Sequence, residues 1–342
     1  MMVEKNLDFR SDTTTWPSPE MREAAANAAV GDMGYGEDPS VNELERVAAE
    51  MFGKEAAIFC TSGTQGNAVS MLAHTDRGDS FICEARAHLY TIERGHWSVI
   101  GSLIPKPVPG VEGFLPPDAV RAAIGRRREA GPRTSLLCME NTHLSSGGTP
   151  LTPEQMKIDY DVAKEHDMGV HTDGARIFNA AVALGIKVSD LAKYSDTVQA
   201  CLSKGLAAPV GSVVVGYEEV IAKAKYYRSM LGGNMRQAGI IAAPGVIALT
   251  KMVDRLAEDH ANAKVLAEGL QKLGIKLRLP LKTNMLFIDY TDIGWTGEDW
   301  SNACKELGWK SRGGPTGTRL VVHYGMERED IDALLEGLEK IV

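Results

Sequence analysis

Several features that would direct a functional reading are missing from this chain. No run of five like charges occurs in its 342 residues, and 37 basic against 45 acidic residues leave a net charge of −8. A nucleic-acid partner is therefore not expected, because such proteins concentrate Lys and Arg in a patch or stripe. No apolar stretch approaches the roughly 20 residues that a membrane-spanning helix needs. The longest, Ala238 to Leu249, is only a dozen residues and includes Pro244, so no membrane partner is expected either. Near the start, Glu4, Lys5, Asp8 and Arg10 interrupt the apolar region a signal peptide would require, and that export route is not expected. Cysteine is scarce. Cys60, Cys83, Cys138, Cys201 and Cys304 are odd in number, widely spread and mostly set in apolar runs. Buried thiols in a reducing cytoplasm are expected rather than a disulfide framework.

What is present is an ordinary globular balance, 44% hydrophobic and 24% charged, with one excess: 35 glycines, about 10% against an average near 7%. The length suggests about two domains at roughly 150 residues each. Short apolar runs at Ala56–Cys60, Phe81–Cys83, Leu136–Met139, Gly169–Thr172, Val198–Leu202 and Ser212–Val215 read as strands separated by helical segments. Helix Val41–Phe52 is expected to start at a Ser40 cap with Glu43 three residues on, and Pro153–His166 at Thr152 in the same way. Strands alternating with helices predict an α/β fold, a mostly parallel sheet covered on both faces, with ligands beyond the strand C-termini. Residues 239–274 look helical. After them Met285–Tyr290 and Arg319–Tyr324 read as strands, and Glu298–Leu307 and Glu329–Ile341 as helices. The expected division is a large domain, 1–250, and a smaller α+β domain, 251–342.

Three segments carry candidate chemistry. Cys60-Thr61-Ser62-Gly63-Thr64-Gln65-Gly66-Asn67 follows a strand and opens a helix; its small residues and free helix N–H groups would cradle a phosphate, although an ordinary strand-to-helix turn looks the same. The segment lacks the Walker lysine and the dinucleotide glycine spacing. His171-Thr172-Asp173-Gly174-Ala175-Arg176 ends another apolar run, where a carboxylate can keep a heterocyclic nitrogen protonated. The plainer alternative is that Asp173 caps the next helix and pairs with Arg176. Leu202-Ser203-Lys204-Gly205 follows one strand later, and a lysine at that edge can form a Schiff base with an aldehyde, or be an ordinary surface lysine. Together, a phosphate cradle, an acid and a lysine are the three handles of pyridoxal 5'-phosphate.

With these segments the chain resembles the aromatic amino acid β-eliminating lyase/threonine aldolase family, fold type I of the pyridoxal enzymes. The resemblance runs from Asp8-Phe9-Arg10-Ser11-Asp12-Thr13 and Tyr35-Gly36-Glu37-Asp38-Pro39 through Ser62-Gly63-Thr64 and Glu140-Asn141-Thr142-His143. It continues through Asp173–Arg176, Leu202–Leu206 and Met235-Arg236-Gln237-Ala238-Gly239 to Thr318-Arg319-Leu320-Val321. It implies a fold type I, aminotransferase-like architecture and retro-aldol cleavage of L-threonine, L-allo-threonine and related L-β-hydroxy-α-amino acids to glycine and an aldehyde. Another pyridoxal lyase on the same scaffold, acting on phenylserine or hydroxyaspartate or by β-elimination, is the alternative. By resemblance Lys204 carries the cofactor, Asp173 pairs with the pyridine nitrogen and Arg176 lies near the phenolic oxygen. Gly63, Thr64, Ser203 and, from a neighbouring subunit, Arg236 hold the phosphate, and His88 stacks on the ring. Ser11 and Arg319 grip the substrate carboxylate, His143 lies close to its hydroxyl, and either His88 or His143 serves as the base. Tyr35, like Arg236, reaches across an interface, which implies a homo-oligomer, a dimer of dimers. No metal ligand is assigned. Leu144, Ser229 and Ile92 depart from the usual family pattern, the first and third where the substrate side chain would lie.

Overall fold

The six apolar runs become strands because both faces of the sheet they form are covered. The computed structural model describes residues 5–124 and 131–342; Glu4, used in the export argument above, lies outside them. The large sheet contains β1 (Ala56–Cys60), β2 (Ser80–Glu84), β3 (Ile104–Val108), β4 (Thr134–Glu140), β5 (Gly169–Asp173), β6 (Thr197–Cys201) and β7 (Ser212–Gly216). Their spatial order is β1-β7-β6-β5-β4-β2-β3, with β7 antiparallel to both neighbours and the other pairings parallel. Val213 and Val215 enter the larger core while Val214 enters the core on the other face. The same alternation sets Leu137 and Met139 against Leu136 and Cys138, which is why these strands read as unbroken apolar runs.

One face is packed by helices Pro39–Phe52, Pro153–Lys164, Ile177–Leu184 and Gly239–Lys251, which contribute Leu44, Phe52, Met156, Phe178 and Ala242. The other carries Gly63–His74 and Glu218–Met230, with Val69, Ile221 and Ala224. Two local expectations are corrected. Helix Pro39–Phe52 begins two residues early, because the Asp38 carboxylate accepts from the Ser40 and Val41 amides and Pro39 occupies the first turn, where its missing N–H costs nothing. Ser40 instead donates its hydroxyl to the Ala29 carbonyl. β3, Ile-Pro-Lys-Pro-Val, was not expected as a strand; its two prolines are tolerated because it is an edge strand paired only with β2.

The helical stretch 239–274 divides into Gly239–Lys251 and Leu256–Lys272, the first with Pro244 inside it. Beyond it lies a three-stranded antiparallel sheet, β10 (Gly317–Val321), β9 (Met285–Asp289), β8 (Lys276–Leu277). Helices Leu256–Lys272, Gly297–Glu306 and Arg328–Glu339 pack on it through Leu266, Leu270, Trp300 and Leu334. Phe9 joins this second core, its ring stacked on Trp309 at 4.3 Å. We propose that the large and small units divide along these two cores, near residue 250, with the N-terminal segment crossing between them.

Candidate active site at the sheet edge

The C-terminal ends of β1, β4, β5 and β6 deliver the candidate residues to one edge. After β1, Ser62 caps helix Gly63–His74 by accepting from the Gln65 amide at 3.2 Å, and Gln65 returns to the Thr61 amide at 2.9 Å. The first-turn amides of a twelve-residue helix are thereby presented at the edge. Glycine is needed there for space: a Cβ on Gly63 would stand 2.8 Å from Cys201 Sγ, and one on Gly66 2.6 Å from Gln199 Cγ. Ser203 and Lys204 follow β6, and the Lys204 carbonyl is fixed by the Thr15 hydroxyl at 3.0 Å.

Asp173 ends β5, only 1% exposed. Its Oδ1 accepts from the Ala175 amide at 3.1 Å and, with the Gln199 amide in the orientation that satisfies both its ends, from Gln199 at 3.0 Å. Its Oδ2 accepts from Asn67 Nδ2 at 3.0 Å. The same Asn67 nitrogen donates to Glu93 Oε1 at 3.0 Å, while Asn67 Oδ1 meets His171 Nε2 at 3.0 Å. Burial pushes His171 down to about 3, so the ring is neutral. Its Nε2 must then carry the proton given to Asn67, and its Nδ1 accepts from Thr197 at 2.9 Å. One neutral histidine therefore fixes the amide that holds two buried carboxylates.

Arg176 does not pair with Asp173. It forms a two-pronged contact with Asp12, Nε to Oδ2 at 2.8 Å and Nη2 to Oδ1 at 2.6 Å, both side chains being buried. Burial alone would raise the Asp12 carboxyl; the Arg176 guanidinium, with help from Lys204, outweighs it and brings the carboxyl down to about 2. The plainer alternative for Asp173 therefore fails in half: the aspartate does accept from the turn that follows it, but its expected partner belongs to Asp12.

The two candidate histidines differ. His88 opens the short helix His88–Thr91, its amide donating to Glu140 Oε2 at 2.6 Å. Its Nδ1 lies 3.0 Å from Glu93 Oε1, a contact that raises its pKa against the opposing effect of burial, and the ring stays partly open. His143 is fully buried, with Nδ1 on the Ser146 hydroxyl at 2.9 Å and Nε2 on Glu84 at 3.0 Å. Burial lowers its pKa despite the nearby Glu84. Both nitrogens are engaged, so the structure does not bring His143 to the cleft surface with a free one. Glu140, fully buried beside it, is pushed up first by desolvation and then by repulsion from Asp173.

Ser11 caps the start of the turn Asp12–Thr14, its hydroxyl accepting from the Thr13 amide at 3.2 Å. Arg319, on β10, donates to the Arg10 carbonyl at 3.0 Å; burial and then the Arg176 charge lower its proton affinity, so the two guanidiniums are neighbours. Ser11, Arg176 and Arg319 thus converge. Tyr35 and Arg236 do not join them. Tyr35 is 81% exposed, and Arg236 pairs with Asp32 at 3.4 Å at the surface. The sequence reading missed Asp12, Asn67, Glu93, Glu140, His171 and Gln199 as parts of the site. Asp12, Asn67, Glu140 and His171 stood inside motifs already singled out; Glu93 and Gln199 carry no local signal.

The family model described as beta-eliminating lyase matches residues 8–292. The low-specificity L-threonine aldolase 1 of Arabidopsis thaliana is 43% identical over 338 residues, covering 96% of this chain and 94% of that one. The low specificity L-threonine aldolase of Escherichia coli strain K12 is 43% identical over 331 residues, covering 95% and 96%. Among solved structures, the threonine aldolase of Leishmania major superposes with a TM-score of 0.83 at 20% identity, covering 98% of this chain and 99% of that one. A putative L-allo-threonine aldolase from Listeria monocytogenes gives 0.79 at 18% identity, covering 99% and 97%. At those identities the structural likeness speaks for the fold.

Proposed function

The chain belongs to the beta-eliminating lyase family, and on that premise we propose that it is a threonine aldolase. It cleaves L-threonine, L-allo-threonine and related L-β-hydroxy-α-amino acids to glycine and an aldehyde, with pyridoxal 5'-phosphate as cofactor. The observation that carries this reading is the gathering at one sheet edge of a helix N-terminus cleared by Gly63, a buried Asp173 held on both oxygens, and Lys204. These residues fit the cofactor: an anion cradle, an acid for a ring nitrogen and an amine for an aldehyde. When bound, the cofactor supplies the aldehyde carbon and the electron-accepting ring.

The chain's own residues do the rest. The Lys204 amine would anchor the aldehyde, and Asp173, kept in place by Asn67, would hold the proton on the ring nitrogen. The Gly63 and Thr64 amides and the Ser203 hydroxyl would bind the phosphate, His88 would pack against the ring, and Arg176, braced by Asp12, would be the cation nearest the phenolic oxygen. Ser11 and Arg319 orient the substrate carboxylate. We assign the β-hydroxyl proton to His88, directly or through a water, in preference to His143, whose nitrogens are both in use. His143 then fixes Glu84 and the loop that follows β4.

We also propose a homo-oligomer, a dimer of dimers, in which Tyr35 and Arg236 complete a neighbouring protomer's site; their exposure on one surface supports it. Among the described residues no helix is long and apolar enough to cross a membrane. Five buried, unpaired cysteines support a reducing compartment, the cytoplasm. The test is incubation of the protein and pyridoxal 5'-phosphate with L-threonine, L-allo-threonine and phenylserine. Glycine plus aldehyde is expected, whereas ammonia plus a keto acid would overturn the aldolase reading.

A further inference from the structure

Beside the site, between the loop after β4 and the small sheet, lies a cavity of 520 Å³ whose wall includes Arg10, Arg312, Arg319, Leu144 and Phe287. Among the described residues, three guanidiniums and no carboxylate line it. Arg10 is neutralised from behind, its Nε and Nη2 held by Asp8 at 2.9 and 2.5 Å. Arg319 donates to a main-chain carbonyl, and Arg312 has no side-chain partner among the described residues. Two positive charges therefore face one cavity with no ion-pair partner among the described residues, Asp12 being felt by Arg319 but taken up by Arg176. On the reading above, Arg319 takes the substrate's α-carboxylate, which leaves Arg312 unexplained.

Arg312 is not on a loose loop. Its carbonyl accepts from the Thr318 hydroxyl at 2.5 Å, and the next amide, Gly313, donates to Ser301 Oγ at 3.0 Å. The Gly314 carbonyl accepts from the Tyr290 hydroxyl at 2.5 Å, and its amide donates to the Gly317 carbonyl at 3.2 Å. A Cβ on Gly313 would stand 2.0 Å from the Gly297 carbonyl oxygen, so the segment lies flat against helix Gly297–Glu306. Such fastening fixes the main chain that carries Arg312, whose exposed side chain ends in a planar, permanently charged donor that suits carboxylate or phosphate. Leu144 and Phe287 supply apolar wall for the carbons between the two ends of a substrate.

We propose that this cavity is a subsite for an anion on the substrate side chain, with Arg312 as its specificity-determining residue. The enzyme accepts, besides threonine, β-hydroxy-α-amino acids whose side chain ends in carboxylate or phosphate. This rests on the aldolase reading and deepens it. For β-hydroxyaspartate the Cα–Cβ bond breaks, the β-hydroxyl loses its proton as the carbonyl forms, and Cα gains one. Glycine and glyoxylate result, with no oxidant or reductant required.

The experiment compares wild type with Arg312→Gln and Arg312→Lys as holoenzymes. Substrates are L-threonine, β-hydroxyaspartate and a β-hydroxy-α-amino acid bearing a terminal phosphate ester. In the glutamine variant, kcat/KM for the anionic substrates falls about tenfold or more relative to that for threonine, the loss of one charged hydrogen bond, through KM. The lysine variant recovers part of it. Loss with only one of the two anionic substrates identifies which anion the subsite takes. A second readout is independent of turnover: calorimetric binding of L-aspartate against the neutral L-α-aminobutyrate. Wild type prefers aspartate and Arg312→Gln loses that preference. An unchanged ratio in both readouts overturns the subsite. Failure to cleave threonine while the aspartate preference persists overturns the aldolase reading and leaves the subsite standing.

Discussion

The edge of the seven-stranded sheet and the three-stranded layer beside it follow opposite rules of burial. At the edge, Asp12, Asp173, Glu93, Glu140, His143, His171 and Arg176 are all buried, each held by side chains or amides from distant segments. In the layer the buried groups are mostly Phe9, Leu266, Leu270, Trp300, Ile331 and Leu334. Two of its buried polar members are tied to the main chain, Asn284 donating to the Val322 carbonyl at 2.8 Å and His323 sitting between the carbonyls of Asp8 and Tyr324, while its buried carboxylates Asp259 and Asp330 lie at helix starts and pair with Arg255 and Lys5. Burying charge costs more than burying leucine unless every partner is present, and proteins tolerate it where chemistry requires it. The difference assigns reactivity to one region and cohesion to the other, with Arg319 as the layer's contribution to the cleft.

The sharpest way to break that division is Lys204→Ala. Aldolase activity should fall by about 10⁴-fold, the scale seen when a covalent catalytic group is removed, and no borohydride-reducible bond should form. The melting temperature without cofactor should barely move; a large drop would make Lys204 structural and erase the contrast. Next in size is Asp12→Asn, which leaves the Arg176 guanidinium buried without its charge partner. A loss of about 3–5 kcal/mol is expected from denaturant unfolding. In wild type, moving the Asp12 carboxyl from 3.8 to about 2 stabilises the fold by about 2 kcal/mol. Because the folded value is depressed, that stability is present above pH 4 and is lost as pH falls toward 2; the variant should lack this slope.

On the other side of the comparison, Leu266→Ala opens a hole in a core of leucine, tryptophan and isoleucine. It should cost about 2–4 kcal/mol of stability while leaving kcat for threonine within about twofold at temperatures where the protein stays folded. A variant that stays stable but loses activity would show that the layer is part of the catalytic apparatus.

The sequence was readable where the signal was local. Strand ends followed by Gly63, Asp173 or Lys204 marked the residues proposed as cofactor handles, which the structure brings to one sheet edge, since an apolar run bounded by small and charged residues is a short-range pattern. Unreadable were the features made by long-range pairing. Arg176 meets Asp12 across 164 residues, and Asn67 joins Asp173 across 106. The prolines of β3 hid a strand that only its edge position permits. Asp38 was overlooked as a cap because Ser40 also suited the role, and the choice turned on Pro39 fitting the first turn.

The subtlest expected effect tests whether the edge is a network or a set of separate groups. Glu93 touches His88 Nδ1, accepts from Asn67, and through that amide shares a partner with Asp173. Its hydrogen bond is the largest cause of the raised His88 pKa. Glu93→Gln keeps an oxygen for both donors but removes the charge that favours the protonated imidazole. The limb of the kcat/KM profile that reports His88 should therefore move to lower pH, because the neutral base is reached sooner as pH rises. If the carboxylate acts only on His88, that limb moves and the absorbance of the bound cofactor does not. If Asn67 transmits the change to Asp173, both titrations shift together, and the edge behaves as one coupled charge system.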